Sequence, residues 1–179
     1  MPRALAQRSR RRAACAAYRL APENRYPAAL DDALESYQYL LKKGYAAHQI
    51  LLCGESAGGG LIYALCLKLR ELGLPLPCGL IGISPWTDLT ESGETYETNR
   101  EADPSMTKEL LEFYAGCYTD DARDPLCSPL FGAAAVAAVC RRGRGHARRH
   151  APPARKTPRE RMQEQDAHRA RALACVCAL

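Results

Sequence analysis

Residues 50–60, Ile-Leu-Leu-Cys-Gly-Glu-Ser-Ala-Gly-Gly-Gly, join a short apolar run to a helix-like stretch that continues to Leu72. A serine on such a tight turn projects its hydroxyl from the carboxyl edge of a sheet, and the first backbone N–H groups of the helix point at any oxyanion formed there. Gly54 and Gly58 let the strand and the helix pass closely. The pattern predicts a nucleophile elbow with Ser56 as the candidate nucleophile, although Gly-x-Ser-x-Gly also occurs by chance in glycine-rich loops.

The segments around this elbow alternate between helical and strand-like patterns. Apolar residues recur at three- and four-residue steps from Leu30 to Leu41, which predicts a helix that Gly44 ends. Leu80 to Ser84 reads as a second strand, and Thr107 is placed to cap a later helix. Strand and helix in alternation are typical of a parallel sheet. We therefore expect an α/β fold, with a central parallel sheet of about three strands flanked by helices.

Charge divides the chain into three parts. Residues 18–132 hold nine Lys+Arg against seventeen Asp+Glu, residues 1–17 hold five arginines and no acid, and residues 133–179 hold eleven Lys+Arg against three acids. The basic balance thus belongs to the two ends. We expect 18–132 to be the folded domain, 1–17 to be an Arg-rich segment unrelated to it, and 133–179 to be a disordered Ala/Arg-rich tail.

Several classes of protein are disfavoured by composition. The nine cysteines show no Cys-x-x-Cys pairing, so the sequence signals neither a zinc site nor a disulfide framework, and we expect buried reduced thiols. No apolar stretch approaches the ~20 residues of a membrane span. The first residues lack the apolar middle of a secretory signal, so a cytoplasmic location is the expectation.

Five separated segments resemble one family in their order and spacing. The segments are Tyr18-Arg19-Leu20-Ala21-Pro22-Glu23, Tyr26-Pro27-Ala28-Ala29-Leu30-Asp31-Asp32, Gly54-Glu55-Ser56-Ala57-Gly58-Gly59, Ser84-Pro85-Trp86-Thr87-Asp88-Leu89 and Asp124-Pro125-Leu126-Cys127-Ser128-Pro129-Leu130. Together they are similar to the hormone-sensitive-lipase-like esterases of the α/β-hydrolase fold, and the resemblance covers roughly residues 18–132.

The resemblance implies a partial α/β-hydrolase fold and a carboxylesterase that acts on short-chain acyl or aryl esters. It assigns the nucleophile to Ser56, one oxyanion N–H to Ala57 and the elbow glycines to Gly54 and Gly58. It implies no metal and no organic cofactor. The expected partner is a small-molecule ester, with no nucleic acid.

Other parts of the family pattern are missing. Residues 1–17 contain no His-Gly-Gly-Gly segment, which in the family completes the oxyanion hole. Asp166 and His168 lie two residues apart in the tail, with no strand to bring them to Ser56. The other histidines fit surface positions: His48 before the elbow strand, and His146 and His150 among arginines. We expect an inactive fragment whose ends were translated out of frame, a hypothesis that the coding DNA would decide.

Three alternatives remain open for the chain and its motifs. A degenerate hydrolase sheet could serve as a non-catalytic interaction module, with self-association through an exposed sheet edge. The arginines of the ends could instead bind nucleic acid. Within the central segment, Trp86 is expected either to line an acyl pocket or to cover the sheet edge, and Asp88 to hold its loop through backbone N–H groups.

Overall fold

The structure is a computed structural model that describes residues 12–99, 101, 106–132 and 174–178, the last of these as backbone. Its parallel strands are β1 Ala13–Cys15, β2 Ile50–Glu55, β3 Gly79–Ile83 and β4 Ala174–Ala178. Its helices are α1 Ala28–Lys42, α2 Ser56–Glu71, α3 Thr95–Thr98 and α4 Lys108–Tyr118, with 3-10 turns at Ala47–Gln49 and Pro129–Gly132. None of the helices in these ranges is long and apolar enough to cross a bilayer.

The strands form one sheet in the order β1-β4-β2-β3. Strand β2 lies between β4 and β3, and its register with β3 runs from Leu51 opposite Gly79 to Glu55 opposite Ile83. Because β2 and β3 are parallel and α2 connects them, they form a βαβ unit. The α/β fold expected from the sequence is confirmed, and the elbow lies where β2 becomes α2.

The number of strands differs from the expectation of about three. Strand β1 lies within the N-terminal segment 1–17, and β4 lies within the tail that was expected to be disordered. Neither strand shows the period-2 alternation or the β-branched richness by which strands are recognised. These two segments are strands because β4 pairs through its backbone with β1 on one side and with β2 on the other. Residues 133–173 lie outside the described part of the chain.

The core lies between the sheet and the helices α1 and α2. Leu65 and Leu69 of α2 are fully buried together with Leu52 of β2 and Tyr37 of α1, whose hydroxyl donates to the Pro75 carbonyl at 2.8 Å. These two leucines therefore belong to the face of α2 that packs on the sheet and on α1. Leu72, which follows the last residue of α2, is 49% exposed.

The helix boundaries follow the expected signals. Gly44 has a φ of +89° just after α1, a conformation that suits glycine at a helix end. At the start of α4, the Thr107 hydroxyl accepts a hydrogen bond from the Leu110 N–H at 3.3 Å. Both the stop and the cap predicted from the sequence are confirmed.

The cysteines only partly follow the expectation of buried thiols. Cys53, Cys66 and Cys127 are buried, whereas Cys15 and Cys78 are exposed. Cys15 lies in β1 and Cys78 lies just before β3. These are the two outer strands of the described sheet, where side chains on one face meet solvent. Among the described side chains, burial is therefore confirmed for Cys53, Cys66 and Cys127, whereas Cys117 is half-buried.

Candidate active site

Ser56 lies at the junction of β2 and α2. It is the first residue of α2, it is exposed, and its φ of +52° places it in the left-handed region that non-glycine residues rarely adopt. The next residue, Ala57, is also exposed and presents its N–H at the positive end of the α2 dipole. This is the geometry that exposes a serine hydroxyl beside backbone donors.

Close backbone contacts make this turn possible. A Cβ on Gly54 would meet the Gly58 carbonyl closer than the 3.0 Å that real Cβ atoms respect, and a Cβ on Gly60 would meet the Trp86 carbonyl in the same way. Gly59 has a similar constraint against Pro85. The sequence interpretation assigned steric roles to Gly54 and Gly58 and missed those of Gly59 and Gly60. The run of three glycines, residues 58–60, is the signal that could have indicated them.

The segment after β3 is fastened to the elbow. The Trp86 N–H donates to the Ser56 carbonyl at 2.9 Å, and the close approach at Gly60 fixes the other side of the Trp86 backbone. Ser84 precedes this contact with a φ of +43°. The first turn of α2 is therefore held in place by the loop that follows the neighbouring strand.

A largely apolar cavity of about 420 Å³ opens beside Ala57 and Gly60. Its aromatic walls come from three regions of the chain that the elbow alone does not specify: Tyr18, Trp86, and Phe113 with Tyr114 of α4. Of the two positions considered for Trp86, the structure shows the one in a pocket wall. A volume of this size is typical of small-molecule sites.

An ion pair holds one wall of this cavity against α1. Arg19 donates from its backbone N–H and its guanidinium to the Asp32 carboxylate at 2.8–3.1 Å. The hydrogen bonds from Arg19 hold the pKa of Asp32 below its ordinary value. Both residues belong to the segments that carry the family resemblance, and their contact explains why the two segments lie together.

A second set of hydrogen bonds holds the segment 124–130, of which Leu126 and Cys127 line the cavity. The Tyr26 hydroxyl donates to Asp124 at 2.9 Å, and its ring meets that of Tyr118 edge-on. The fully buried Ser128 accepts from the Leu89 N–H at 2.8 Å and donates to a backbone carbonyl of the preceding turn. Residues 124–130 are thereby joined to the loop after β3.

Asp88 organises that loop. Its carboxylate accepts hydrogen bonds from the backbone N–H and the hydroxyl of both Thr90 and Ser92, at 2.5–3.0 Å. Burial raises the pKa of Asp88, but the hydrogen bonds from Ser92 and Thr90 outweigh it and hold the pKa below its ordinary value. The role expected for Asp88, holding its loop through backbone N–H groups, is confirmed.

The described residues contain one histidine, His48, and it is far from Ser56. It is exposed in the 3-10 turn before β2, whereas Ser56 follows the other end of that strand, roughly 20 Å away at ~3.3 Å per residue. Asp166, His168, His146 and His150 lie outside the described residues. Within the same ranges, no three His, Cys, Asp or Glu side chains cluster as metal ligands would.

Residues 1–142 match the model of a family described as alpha/beta hydrolase fold. The chain belongs to the alpha/beta hydrolase fold family. Among its relatives in this family is an acetyl-hydrolase of Streptomyces hygroscopicus, 38% identical over 117 residues, and an esterase of Acinetobacter venetianus, 40% identical over 117 residues. Each alignment covers 64% of this chain and 39% of the relative.

Solved structures of alpha/beta hydrolases agree with these relatives. The crystal structure of an esterase from the bacterial hormone-sensitive lipase family superposes with a TM-score of 0.62 at 43% identity, over 64% of this chain and 39% of that one. Human hormone-sensitive lipase is 30% identical over 112 residues, 58% of this chain and 10% of the lipase. The resemblance to this group is confirmed, and the chain spans about two fifths of the length of the first relatives it matches.

Proposed function

We propose that Ser56 is the nucleophile of a carboxylic ester hydrolase and that the Ala57 N–H is one donor of its oxyanion hole. The observation that carries this proposal is the left-handed backbone of Ser56 at the first position of α2. A strained serine at a helix N-terminus is exposed to substrate and lies next to donors for the developing negative charge. The esterases and acetyl-hydrolase among the relatives support the same reaction class.

The cavity beside the elbow favours a small, uncharged ester. Its walls are aromatic and aliphatic, and the guanidinium at its margin, that of Arg19, is already engaged by Asp32. Transfer of an apolar acyl or aryl group from water into such a space is favourable, whereas a charged group would lose its hydration there. Short-chain acyl and aryl esters are therefore the proposed substrates, with no metal or organic cofactor needed for the acyl transfer.

Turnover requires a base that takes the Ser56 proton. His48, the histidine of the described residues, lies at the opposite end of β2 and cannot reach this proton. Loss of the histidine in a serine triad lowers kcat by on the order of 10⁶. We infer that this chain turns over esters negligibly. The same observation favours, as a second candidate, a non-catalytic hydrolase-like module that binds partners or ligands.

Incubation with p-nitrophenyl butyrate tests both parts of this proposal. We expect slow transfer of a butyryl group to Ser56, found by peptide mapping and absent in Ser56→Ala, because deacylation also needs the base. We expect the steady release of p-nitrophenol to be no faster than that of Ser56→Ala. A Ser56-dependent steady rate would disprove the inferred loss of turnover, and butyrylation elsewhere with none at Ser56 would disprove the nucleophile.

We propose self-association as a further property of the sheet edge. Within the described residues β3 pairs only with β2, and its Ile81 and Ile83 are 40% and 37% exposed. The strand carries no charge and no proline, the features that protect natural edges. Binding of nucleic acid would depend on the arginine-rich tail, which lies outside the described residues.

A further inference from the structure

The loop after β3 contains two buried polar groups that lack hydrogen-bond partners among the described residues. They are the indole N–H of Trp86 and both carboxylate oxygens of Glu91. Glu91 is only 2% exposed. Leaving such groups buried and unsatisfied is unfavourable, most of all for a charged group. Both groups belong to the loop beside the candidate site, and their own hydrogen bonds do not explain why they are buried.

Glu91 is forced into this position by its neighbours. The Asp88 carboxylate accepts from the backbone N–H groups of Thr90 and Ser92, on either side of Glu91. The residue between them adopts a φ of +50° and points inward. The turn around Asp88 therefore determines the burial of Glu91, and no partner of its own is needed to hold it there.

The charge state of Glu91 depends on groups from three elements. Burial raises its pKa most, and Asp88 on its own turn raises it further, to about 7. The nearby Trp86 indole N–H lowers the pKa, although it does not meet hydrogen-bond geometry with the carboxylate, and on α4 Glu112 raises the pKa and Lys108 lowers it. Burial raises the pKa of the Tyr96 phenol on α3, and the nearby Glu91 carboxylate raises it further. Glu91 thus changes charge near neutral pH.

The other member of the pair forms a wall of the cavity. The backbone of Trp86 is fixed to the elbow through its N–H bond to Ser56 and its close approach to Gly60. Its side chain lines the cavity of about 420 Å³. Because the backbone is fixed, movement of Trp86 is confined to the indole. The indole orientation changes the shape of the cavity and leaves the elbow in place.

We propose that Glu91 is a proton-dependent positioning residue that sets the orientation of the Trp86 indole and thereby the wall of the cavity beside Ser56. An ionised Glu91 accepts the indole N–H in a charge-assisted hydrogen bond, which is roughly twice as strong as a neutral one. A protonated Glu91 holds the indole less firmly. The consequence for substrate binding rests on the proposed hydrolase function, but the positioning itself does not.

Intrinsic fluorescence tests this proposal directly, because Trp86 is the one tryptophan of the chain. We expect the emission maximum to shift between pH 5 and pH 9 with a midpoint near 7, in the full chain and in the Ser56→Ala variant alike. Glu91→Gln should abolish the shift. Glu94→Gln, which changes an exposed carboxylate on the same loop, is the matched control and should retain it. An emission maximum that is constant with pH, or a shift that persists in Glu91→Gln, would overturn the proposal.

Two surface variants keep the test decisive if Glu91→Gln does not fold. Glu112→Gln removes a charge that raises the pKa of Glu91, so the midpoint should move to lower pH. Lys108→Gln removes a charge that lowers it, so the midpoint should move to higher pH. Opposite displacements identify Glu91 as the titrating group. Midpoints that stay unchanged in both variants would assign the transition to another residue and contradict the proposal.

Discussion

Strands β2 and β3 are neighbours, and the turns that follow them at the same edge of the sheet are built in opposite ways. After β2, the elbow is held by backbone contacts so close that Gly54 and Gly60 have no room for a side chain. After β3, the loop is held by polar side chains: the Asp88 carboxylate accepts four hydrogen bonds, whereas the buried Glu91 carboxylate has no hydrogen-bond donor in good geometry among the described residues. The position of Ser56 therefore depends on steric contacts of the backbone. The position of the cavity wall after β3 depends on polar and charged side chains.

The strands themselves show the same contrast. β2 is paired on both sides, and its Leu52 and Cys53 are 0% and 1% exposed. β3 is paired on one side among the described residues, with Ile81 and Ile83 partly exposed. The central strand leads into the turn that fixes Ser56, whereas the outer strand leads into the loop with the buried Glu91. Each of the following changes tests one side of this comparison.

Adding a methyl group at the elbow should have the largest effect. In Gly60→Ala the new Cβ meets the backbone carbonyl of Trp86, which cannot move without breaking the contact to Ser56. We expect a loss of about 3 kcal/mol or more in the free energy of unfolding, measured by urea denaturation.

Gly116→Ala is the control for the elbow substitution. Gly116 is exposed within α4 and has open space at its Cβ position. Alanine is the better helix former by roughly 0.5–1 kcal/mol, so this variant should be slightly more stable. Equal effects of the two substitutions would show that the close contacts at the elbow are not the source of its rigidity.

Removing the charge of Asp88 should have the next largest effect. Asp88→Asn replaces one carboxylate oxygen with an amide nitrogen, so the N–H and the hydroxyl that donate to that oxygen both lose their acceptor, at a cost of about 1–3 kcal/mol. Because the folded-state pKa of Asp88 is lowered, its contribution is present above the unfolded pKa and is lost as the pH falls through the folded one. Urea midpoints that are equal for both proteins at pH 7 would contradict this account.

Removing the charge of Glu91 should act in the opposite direction. The folded-state pKa of Glu91, about 7, lies above the ordinary value of 4.5. The favourable contribution of Glu91 to the free energy of unfolding is therefore complete below pH 4.5 and is lost as the pH rises through 7. Glu91→Gln should therefore raise the urea midpoint relative to the parent chain at pH 8 and have little effect at pH 5. A variant that is destabilised equally at both pH values would show that Glu91 is not ionised in the folded state.

A charge on the outer strand should have the smallest effect on stability and a clear effect on association. Ile81→Lys places an ammonium group on a side chain that is already 40% exposed, which interrupts an edge that can pair with another chain. We expect the free energy of unfolding to change by about 1 kcal/mol or less, and the mass measured by light scattering to fall towards that of the monomer. A parent chain that is already monomeric would disprove the proposed self-association.

The sequence predicted the parts of this molecule that have local signals. The apolar run before Gly54, the apolar periodicity from Leu30 to Leu41 and the cap at Thr107 each specify an element through nearby residues, and the structure has them. β1 and β4 were missed because short Ala- and Cys-containing strands become strands only by pairing with a neighbour.

The candidate site divides in the same way. The serine turn follows from five adjacent residues, but the cavity is assembled from separate segments by contacts such as Arg19 with Asp32 and Tyr26 with Asp124. The burial of Glu91 depends on the turn around Asp88, and a glutamate in a polar stretch ordinarily indicates an exposed side chain. Such features follow from tertiary packing and could not be predicted from spacing.

Site-resolved labelling with a fluorophosphonate tests the role of Ser56 most directly. Ser84 is the internal control, because it is also exposed and has a left-handed backbone but does not begin a helix. One oxyanion donor is worth on the order of 10²–10³ in rate, so Ser56 should be labelled on the order of 10²-fold faster than Ser84, even without a base. Equal labelling of the two serines would contradict the proposal that the elbow presents Ser56 as a nucleophile.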